Sequence, residues 1–346
     1  MENKRIINPE TSVEDINSEL SLRPRKFTDY VGQKRIKETL SIAIKAATQR
    51  SESLDHTLLY GPPGLGKTTL AHVISHEMKS SIKVTSGPAI EKAGDLVAIL
   101  TRIQKGDILF IDEIHRLNKI SEEVLYSAME EYRVSWVIEQ GLKARSVNLG
   151  IQPFTLIGAT TKYGMLSAPL RDRFGSVYRL DFYSDTEMSD ILLRSAKILK
   201  ITADNKGLKE IAIRSRKTPR IANRLLRRVR DFSEVQSNGK INTEITKKAL
   251  DQLEVDNLGL DKIDVELLLS LVTKFNGGPV GLQTLAASIS EDSNTVEDVI
   301  EPFLLNLGFI SEKLNKLEKA IRESPPDILG LSNYIWSHNI ASEIFK

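Results

Sequence analysis

The strongest indication of the fold of this 346-residue chain is a glycine-rich segment, Gly61-Pro62-Pro63-Gly64-Leu65-Gly66-Lys67-Thr68. It matches the pattern G-x-x-x-x-G-K-[ST], and its surroundings fit, because a short apolar run, Thr57–Tyr60, precedes it and a helical pattern, Thr69–Met78, follows it. Glycines let backbone amides curl around phosphates, the helix N-terminus adds its dipole, Lys67 reaches the β- and γ-phosphates, and the Thr68 hydroxyl ligates Mg²⁺. The segment therefore predicts a nucleotide phosphate site.

Three more apolar runs lie downstream of this loop. They are Ile82–Thr85, Ile108–Ile111 and Phe154–Ile157, and helical patterns separate them. Continuous apolar runs of this length predict strands buried on both faces of a parallel sheet. Residues 1–21 are polar and aperiodic, so we expect a flexible N-terminal segment followed by an α/β nucleotide-binding domain over residues 22–182.

Beyond about residue 183 the strand signals stop and helical periodicity takes over. Four predicted helices form a small helical domain over residues 183–255: Met188–Leu199, Leu208–Arg214, Ile221–Phe232 and Ile245–Leu253. Three more predicted helices follow: Val265–Phe275, Leu282–Ile289 and Val296–Leu307. Because the apolar Gly308-Phe309-Ile310 comes next, we expect a winged helix-turn-helix and an extended tail over residues 256–346.

Composition narrows the class of protein. Lys and Arg total 48 against 46 Asp and Glu, a formal net charge of +2, so bulk charge indicates neither a nucleic-acid binder nor a membrane-surface protein. Any DNA contact has to come from a local patch. The lack of cysteine excludes disulfides and cysteine-ligated zinc. The N-terminus has no signal-peptide core and no run of about 18 apolar residues occurs, which predicts a cytoplasmic protein without membrane contact.

Two carboxylates follow the buried apolar run that ends at Ile111. Packing does not call for acidic groups there, so Asp112 and Glu113 are predicted to do chemistry. In hydrolysis of a γ-phosphate, Asp112 would hold the Mg²⁺ shell and Glu113 would polarise the attacking water. The alternative is an ordinary helix N-cap with an acidic first turn.

The remaining polar candidates are weaker on their own. A hydroxyl of Thr160 or Thr161, at the end of the next strand, would reach the γ-phosphate or the lytic water, although threonines at strand ends are common. Arg171 and Arg173 end a short helix, and Arg220 follows Pro219 at the start of another; arginine neutralises transition-state charge across subunit boundaries. For isolated arginines, a surface ion pair is the commoner role. The basic run Arg224, Arg227, Arg228 and Arg230 favours a solvated helix face, with a functional patch as the alternative.

With these motifs the sequence resembles the AAA+ ATPases and, more narrowly, the RuvB family of bacterial Holliday-junction branch-migration motors. The resemblance covers roughly residues 22–310. It is carried by LRPRKFTDYVGQ, DHTLLYGPPGLGKTTLA, TSGPAIEKAGDL, LFIDEIHRL, LIGATT, SAPLRDRFG, TPRIANRLLRRVRDF and KFNGGPVGLQTLA. Other AAA+ proteins share the loop and the acidic strand but not this whole series. The resemblance implies an α/β P-loop AAA+ domain with a parallel sheet flanked by helices. A small all-α lid domain and a C-terminal winged-helix domain would follow it.

The resemblance also implies roles for single residues. Thr161 (or Thr160) would be sensor 1, Arg173 the arginine finger presented to a neighbour's ATP, and Arg220 sensor 2, beside the catalytic Lys67, Asp112 and Glu113. Mg²⁺ would be held by Thr68 and Asp112. The ATP or ADP contacts would be Leu22, Arg23, Gly61, Gly64, Gly66, Lys67, Thr68, Thr69, Glu130, Glu131, Tyr132, Arg173, Tyr183 and Arg220.

The resemblance further implies a homo-hexameric ring on duplex DNA. Such a ring drives branch migration of four-way junctions in homologous recombination, DNA repair and the SOS response, with a RuvA-type junction-binding protein and a RuvC-type resolvase as partners. Trp136-Val137-Ile138 and Leu142 flank Glu139-Gln140-Gly141, which predicts a β-hairpin with an apolar tip. Ile138 and Leu142 are candidates for docking the RuvA-type partner, and a hairpin packed on its own domain is an equal alternative.

The C-terminus departs from the family pattern. Members usually carry an arginine-rich wing of the type R-T-P-R-G-R, whereas this chain has Ser311–Leu317, in which Lys313 and Lys316 are the candidate phosphate contacts. Lysine lacks arginine's bidentate geometry, so a weaker grip on DNA is expected. The tail to Lys346 is expected to pack as an extra helix.

Two other functions compete with a DNA motor. A AAA+ protein remodeller or clamp-loading subunit would use the same ATP site, but the sequence shows no convincing aromatic-apolar pore loop, and a winged helix favours duplex DNA. A catalytically silent ring member is disfavoured because Lys67, Asp112, Glu113 and Arg173 are all intact.

Overall fold

The structure, a computed structural model, describes residues 21–137, 146–312 and 334–336. The chain divides into two compact units, one ending at Tyr183 and the other beginning at Ser184. Each unit has its own core. Within the described residues, no helix is long and apolar enough to cross a membrane.

The unit that ends at Tyr183 alternates strands with helices. In chain order its elements are α1 (Lys34–Arg50), β1 (Thr57–Tyr60), α2 (Lys67–Met78), β2 (Ile82–Ser86), a 3₁₀ turn (Gly87–Ala89), α3 (Ala93–Leu100), β3 (Ile108–Asp112), a 3₁₀ turn (Ile114–Arg116), α4 (Lys119–Glu131), β4 (Arg133–Val137), β5 (Ser146–Gly150), β6 (Thr155–Thr160), a 3₁₀ turn (Tyr163–Met165), α5 (Ala168–Asp172) and β7 (Ser176–Arg179).

Five parallel strands form the sheet of this unit, in the order β2-β3-β6-β1-β7. The inner strands β3, β6 and β1 are apolar and almost fully buried, as their sequences predict. Because β1 lies beside β6 and β6 beside β3, the segments that follow these strands meet at one edge of the sheet. That edge carries the loop of residues 61–68, the Asp112-Glu113 pair and the Thr160-Thr161 pair.

Two expectations about this sheet were wrong in detail. Strand β2 is not buried on both faces: it is an edge strand, and the Val84 side chain is 53% exposed. Strand β7 was not foreseen, because Ser176-Val177-Tyr178-Arg179 alternates between half-buried and exposed positions and offers no apolar run.

An apolar cluster packs around the sheet. It takes Leu58, Leu109 and Ile111 from the strands and residues such as Leu96 and Leu125 from the helices. Full burial of a side chain of this size stabilises a fold by roughly 1.5–3 kcal/mol. The core therefore fixes the positions of the strands whose ends carry the polar residues.

The unit that begins at Ser184 is mainly helical. Its elements are α6 (Asp185–Ile198), β8 (Thr202–Ala203), α7 (Asn205–Ile213), α8 (Pro219–Gln236), β9 (Lys240–Ile241), α9 (Thr243–Gln252), α10 (Lys262–Thr273), α11 (Leu282–Ser288), α12 (Ser293–Thr295), a π-helical stretch (Val296–Ile300), α13 (Glu301–Leu307), β10 (Ile310–Glu312) and β11 (Tyr334–Trp336).

The four helices predicted for the lid are confirmed as α6 to α9. Sequence features explain their starts: Ser184 and Glu187 form a capping box for α6, and Pro219 occupies the first turn of α8. The parallel pair β8 and β9 was missed, because each strand has only two residues. The basic run of α8 is not simply a solvated face, since Arg224 is 9% exposed.

The last domain has the predicted helices α10 and α11, and its third helix begins as α12 and a π-helical stretch before continuing as α13. They share an apolar core that includes Leu271, Leu285 and Leu304. Strand β10 pairs antiparallel with β11, with Ile310 opposite Trp336. The expectation of a helical tail is thus wrong for residues 334–336, whose Tyr-Ile-Trp sequence has high strand propensity.

The predicted hairpin is present. Strands β4 and β5 pair antiparallel, with Arg133 opposite Gly150 and Val137 opposite Ser146. The candidate docking residues Ile138 and Leu142 lie outside the described residues, and so do the candidate DNA contacts Lys313 and Lys316.

Candidate nucleotide site

The loop of residues 61–68 connects the end of β1 to the start of α2. Gly61, Gly64 and Gly66 have φ angles of 138°, 79° and 93°, which only glycine adopts without strain. At Gly61 a Cβ atom would also lie 2.5 Å from the carbonyl oxygen of Leu180. These glycines therefore shape a backbone concavity at the N-terminus of α2, the arrangement that binds phosphate groups.

Lys67 is the first residue of α2 and is 8% exposed. Its Nζ donates hydrogen bonds to the carbonyl oxygens of Gly61, at 2.7 Å, and Pro62, at 2.9 Å. The loop thus holds a buried ammonium group over its own concavity. An ammonium group in such a loop is placed to bind phosphate oxygens.

Thr68 and Asp112 converge from different elements. The Thr68 hydroxyl donates to Oδ2 of Asp112 at 3.2 Å, and Oδ1 of Asp112 accepts the amide of Glu113 at 2.9 Å. Asp112 is the last residue of β3. A hydroxyl and a carboxylate beside a phosphate loop fit Mg²⁺, which is usually bound by one or two protein oxygens together with substrate phosphates and waters.

Glu113 has a left-handed backbone, with φ at 47°. Such a conformation is uncommon outside glycine and concentrates at functional sites. The Glu113 side chain is 49% exposed and pairs with Arg116 at 3.1 Å. Glu113 precedes a 3₁₀ turn, yet its side chain makes no capping hydrogen bond, so the ordinary N-cap does not account for it.

The two threonines at the end of β6 differ in their burial and contacts. Thr160 is 1% exposed, and its Oγ1 accepts the amide of Lys162 at 2.9 Å and lies 2.9 Å from Nδ1 of His115. Because this oxygen already accepts the amide, its own proton is available to donate to the imidazole. Thr161 is half-buried and follows the strand. Thr160 is therefore committed to internal contacts.

His115 was missed as a site residue by sequence reasoning. Burial lowers the pKa of His115 and outweighs the nearby Glu113 carboxylate, which raises it. The imidazole is thus neutral at physiological pH, the form that accepts the Thr160 proton. Its position two residues after Glu113 was the available signal, but the sequence did not show which residue its imidazole would contact.

Arg173 follows the short helix α5, and three groups hold its guanidinium. Nη1 donates to the carbonyl oxygen of Pro169 at 2.8 Å, Nη2 pairs with Glu130 at 3.1 Å, and Cζ lies 4.5 Å from the ring centroid of Tyr126. The neighbouring Arg171 lies over a different ring, that of Tyr163, at 5.3 Å. The structure thus brings Arg173 together with the predicted nucleotide contact Glu130.

Comparisons with known proteins agree with this geometry. Family models match three consecutive segments: the Holliday junction DNA helicase RuvB P-loop domain at residues 22–180, the RuvB AAA lid domain at 183–256 and the RuvB C-terminal winged helix domain at 257–316. This chain belongs to the RuvB family. The predicted resemblance and fold class are confirmed.

Individual relatives support the assignment. The Holliday junction branch migration complex subunit RuvB of Dehalococcoides mccartyi (strain CBDB1) is 58% identical over 309 residues, which are 89% of this chain and 88% of that protein. Among solved structures, the Thermotoga maritima RuvB Holliday junction branch migration motor is 43% identical with a TM-score of 0.79, covering 94% of this chain and 98% of that one. A point mutant of the same RuvB gives a TM-score of 0.81 with the same coverage.

Tyr183 contacts the backbone of the phosphate loop in this RuvB-family chain. Its hydroxyl lies 3.2 Å from the carbonyl oxygen of Leu65 and 3.2 Å from the hydroxyl of Tyr30. Tyr30 is 3% exposed, and burial raises its pKa well above the ordinary value. Sequence reasoning missed Tyr30. The pair of Tyr30 and Tyr183 thus supports the backbone of the loop.

The other predicted nucleotide contacts lie in several places. Leu22 is buried, and the charge of Arg23 adds to burial in lowering the pKa of His72, so Arg23 lies near α2. Glu131 is the last residue of α4, and Tyr132 ends that helix with a left-handed backbone. Thr69 lies in the first turn of α2, beside Thr68. Arg220 belongs to the other unit, in the first turn of α8.

Proposed function

We propose that this chain is the ATP-hydrolysing motor that drives branch migration of four-way DNA junctions. The observation that carries the proposal is the meeting of Lys67, Thr68, Asp112 and Glu113 at one edge of the sheet, in a chain whose three segments all match RuvB domains. Each of these groups has a task in hydrolysis of the γ-phosphate.

Binding of ATP begins with an exchange of hydrogen bonds at Lys67. Its ammonium leaves the carbonyl oxygens of Gly61 and Pro62 for the β- and γ-phosphate oxygens, while loop amides contact the phosphates. Thr68 and Asp112 would hold Mg²⁺, which supplies charge that offsets the negative phosphates. In the described residues no cluster of three or more His, Asp or Glu side chains is placed to hold a metal ion.

Glu113 acts as the group that polarises the attacking water. Its side chain is half exposed and pairs with Arg116 at 3.1 Å. An exposed pair of this kind is weak, so exchanging it for a water costs little.

Thr161 serves as sensor 1, since Thr160 is committed to Lys162 and His115. The two threonines then have separate tasks. Thr160 fixes the end of β6, and the Thr161 hydroxyl is left to contact the γ-phosphate or the lytic water. Arg220, at the start of α8, serves as sensor 2 from the lid domain.

Arg173 completes a neighbour's site rather than its own, which requires a ring. Arginine placed against the γ-phosphate of a neighbouring subunit raises the rate of hydrolysis by stabilising transition-state charge. Glu130 pairs with Arg173, so residues 130–132 reach the same interface. The working assembly is a homo-hexamer on duplex DNA.

The domains are residues 22–182, 183–255 and 256–346, the last of which grips DNA through Lys313 and Lys316. The β4–β5 hairpin docks a RuvA-type junction-binding protein through Ile138 and Leu142, and a RuvC-type resolvase joins the larger complex. The protein works in the cytoplasm, in homologous recombination and DNA repair.

The test is ATP hydrolysis by the wild-type chain and by Glu113→Gln, with and without duplex DNA and a RuvA-type protein, at two salt concentrations. We expect DNA and partner to stimulate the wild type, with less stimulation at high salt because phosphate contacts release counterions. Glu113→Gln should bind ATP and remain slow under all conditions. Hydrolysis that ignores DNA would favour a protein remodeller, and normal turnover by Glu113→Gln would refute the assignment of the site.

A further inference from the structure

Tyr126 lies directly under the guanidinium of Arg173. The Cζ atom is 4.5 Å from the ring centroid, which is within the range of a cation–π contact. The Arg173 side chain is 22% exposed, so most of it is packed while its charge stays near the surface. Tyr126 belongs to α4, whereas Arg173 follows α5.

Hydrogen bonds also hold the hydroxyl of Tyr126 in place. It donates to Oε2 of Glu122 at 3.0 Å and lies 3.0 Å from Oγ of Ser167, which donates to the same carboxylate oxygen at 2.6 Å. Glu122 is 8% exposed. Ser167 is the N-cap residue of α5 and accepts the amide of Leu170 at 3.4 Å. One buried carboxylate therefore fixes both the ring under Arg173 and the start of the helix that carries Arg173.

The other two contacts of Arg173 define its direction less well. Pro169 belongs to the same short helix, so its carbonyl moves with the arginine. Glu130 is 56% exposed, and an ion pair at such a position is screened by water. A carboxylate also offsets the charge that the arginine has to deliver. An aromatic face holds a guanidinium without carrying an opposing full charge, so it suits an arginine whose charge is needed elsewhere.

We propose that Tyr126 is the positioning residue of the arginine finger: its ring holds Arg173 aimed out of the subunit, and Glu122 and Ser167 lock that ring to helix α5. The proposal rests on the proposed function, because it needs Arg173 to act on a neighbour's ATP. Tyr126 touches no nucleotide itself and acts only through Arg173.

The experiment is a complementation assay between two full-length variants that are each inactive. The acceptor, Arg173→Ala, keeps a complete ATP site but has no finger; the donor, Lys67→Ala, has a finger but no working site. In a head-to-tail ring assembled from equal amounts, about a quarter of the interfaces pair an acceptor site with a donor finger. ATP hydrolysis by the mixture, on duplex DNA, therefore reports only on the finger supplied by the donor.

Changes at Tyr126 are then introduced into the donor alone. Tyr126→Leu removes the ring, and we expect hydrolysis by the mixture to fall about tenfold, the order expected for a partly desolvated cation–π contact. Tyr126→Phe keeps the ring and should fall by less than about threefold, because only the ties to Glu122 and Ser167 are lost. Tyr163→Leu, which removes the ring under Arg171, is the matched control and should leave hydrolysis close to that of the unmodified mixture.

The share of donor in the rings is measured by pull-down on a tagged acceptor, so that a donor that fails to fold is recognised. Tyr126→Met, which is also non-aromatic, replaces the leucine variant in that case. Equal hydrolysis with leucine, methionine and tyrosine at equal incorporation would overturn the proposal, as would an equal loss with phenylalanine and leucine. If the unmodified donor gives no hydrolysis above that of a donor carrying both Lys67→Ala and Arg173→Ala, the finger in trans is wrong and the proposed function fails instead.

Discussion

Arg216 joins the lid domain to the winged-helix domain through a buried ion pair. The side chain is 2% exposed, and its Nη2 contacts the carboxylates of Asp264, which is fully buried, and Asp261, at 3.4 Å. Its Nε donates to the carbonyl oxygen of Gly259 at 3.1 Å, and its Cζ lies 4.9 Å from the ring centroid of Phe303. Removing one partner of a buried pair leaves an uncompensated charge, which typically costs about 3–5 kcal/mol.

We therefore expect Arg216→Met to destabilise the unit that begins at Ser184 by about 3–5 kcal/mol. Replacing Arg216 and Asp264 together should cost less than the sum of the two single changes, because the charge that each single change deprives of this partner is then absent. The assay is urea unfolding followed by circular dichroism, for Arg216→Met, Asp264→Leu and the double variant, arranged as a double-mutant cycle. Arg228→Met, the same change at an exposed position of α8, is the matched control.

Two outcomes would refute this reasoning. A loss below about 1 kcal/mol for Arg216→Met would mean that the pair is not desolvated as its burial implies. A double variant whose loss equals the sum of the two single losses would mean that the two side chains do not interact energetically.

Three further predictions concern the site and its domain. Lys67→Ala should abolish hydrolysis and weaken ATP binding, measured by isothermal titration calorimetry, because the buried ammonium is lost. Glu113→Gln should keep ATP binding and lower kcat by roughly 10²- to 10⁴-fold in single-turnover assays, the usual range for a lost general base. Burial lowers the pKa of His56 below its ordinary 6.5, with the Met129 carbonyl opposing; the unfolded chain therefore takes up the proton first, and stability in urea should fall as pH drops below about 6.5. His56→Gln should flatten that slope, and an unchanged slope would contradict the prediction.

The sequence predicted the parts of the fold that depend on local pattern. Apolar runs located β1, β3 and β6, and helical spacing located α6 to α11, because burial in a sheet interior or against one helix face imposes a period on the chain. Strands at the edge of a sheet need not be buried on both faces, so their sequences lack a distinctive apolar pattern. The exposure of β2 and the existence of β7 were therefore not predicted. The tail was assigned to a helix, and its described residues pair with β10 instead.

The candidate site was predictable to the extent that its chemistry lies in contiguous motifs. Lys67, Thr68, Asp112 and Glu113 belong to such motifs. Long-range contacts are different: nothing in the sequence showed that Thr160 is paired with His115, 45 residues away, which is what separates its task from that of Thr161. The same holds for Tyr126, whose ring lies under Arg173, 47 residues along the chain.

The most direct test of the account is migration of a synthetic four-way junction by the full-length chain with a RuvA-type protein and ATP. We expect labelled arms to separate only when ATP is hydrolysed. We also expect added Arg173→Ala subunits to lower the rate of migration by more than simple dilution of the wild type would, because each subunit without a finger inactivates a neighbour's site. A junction that moves equally well with a non-hydrolysable ATP analogue, or that does not move while ATP is hydrolysed at full rate, would contradict it.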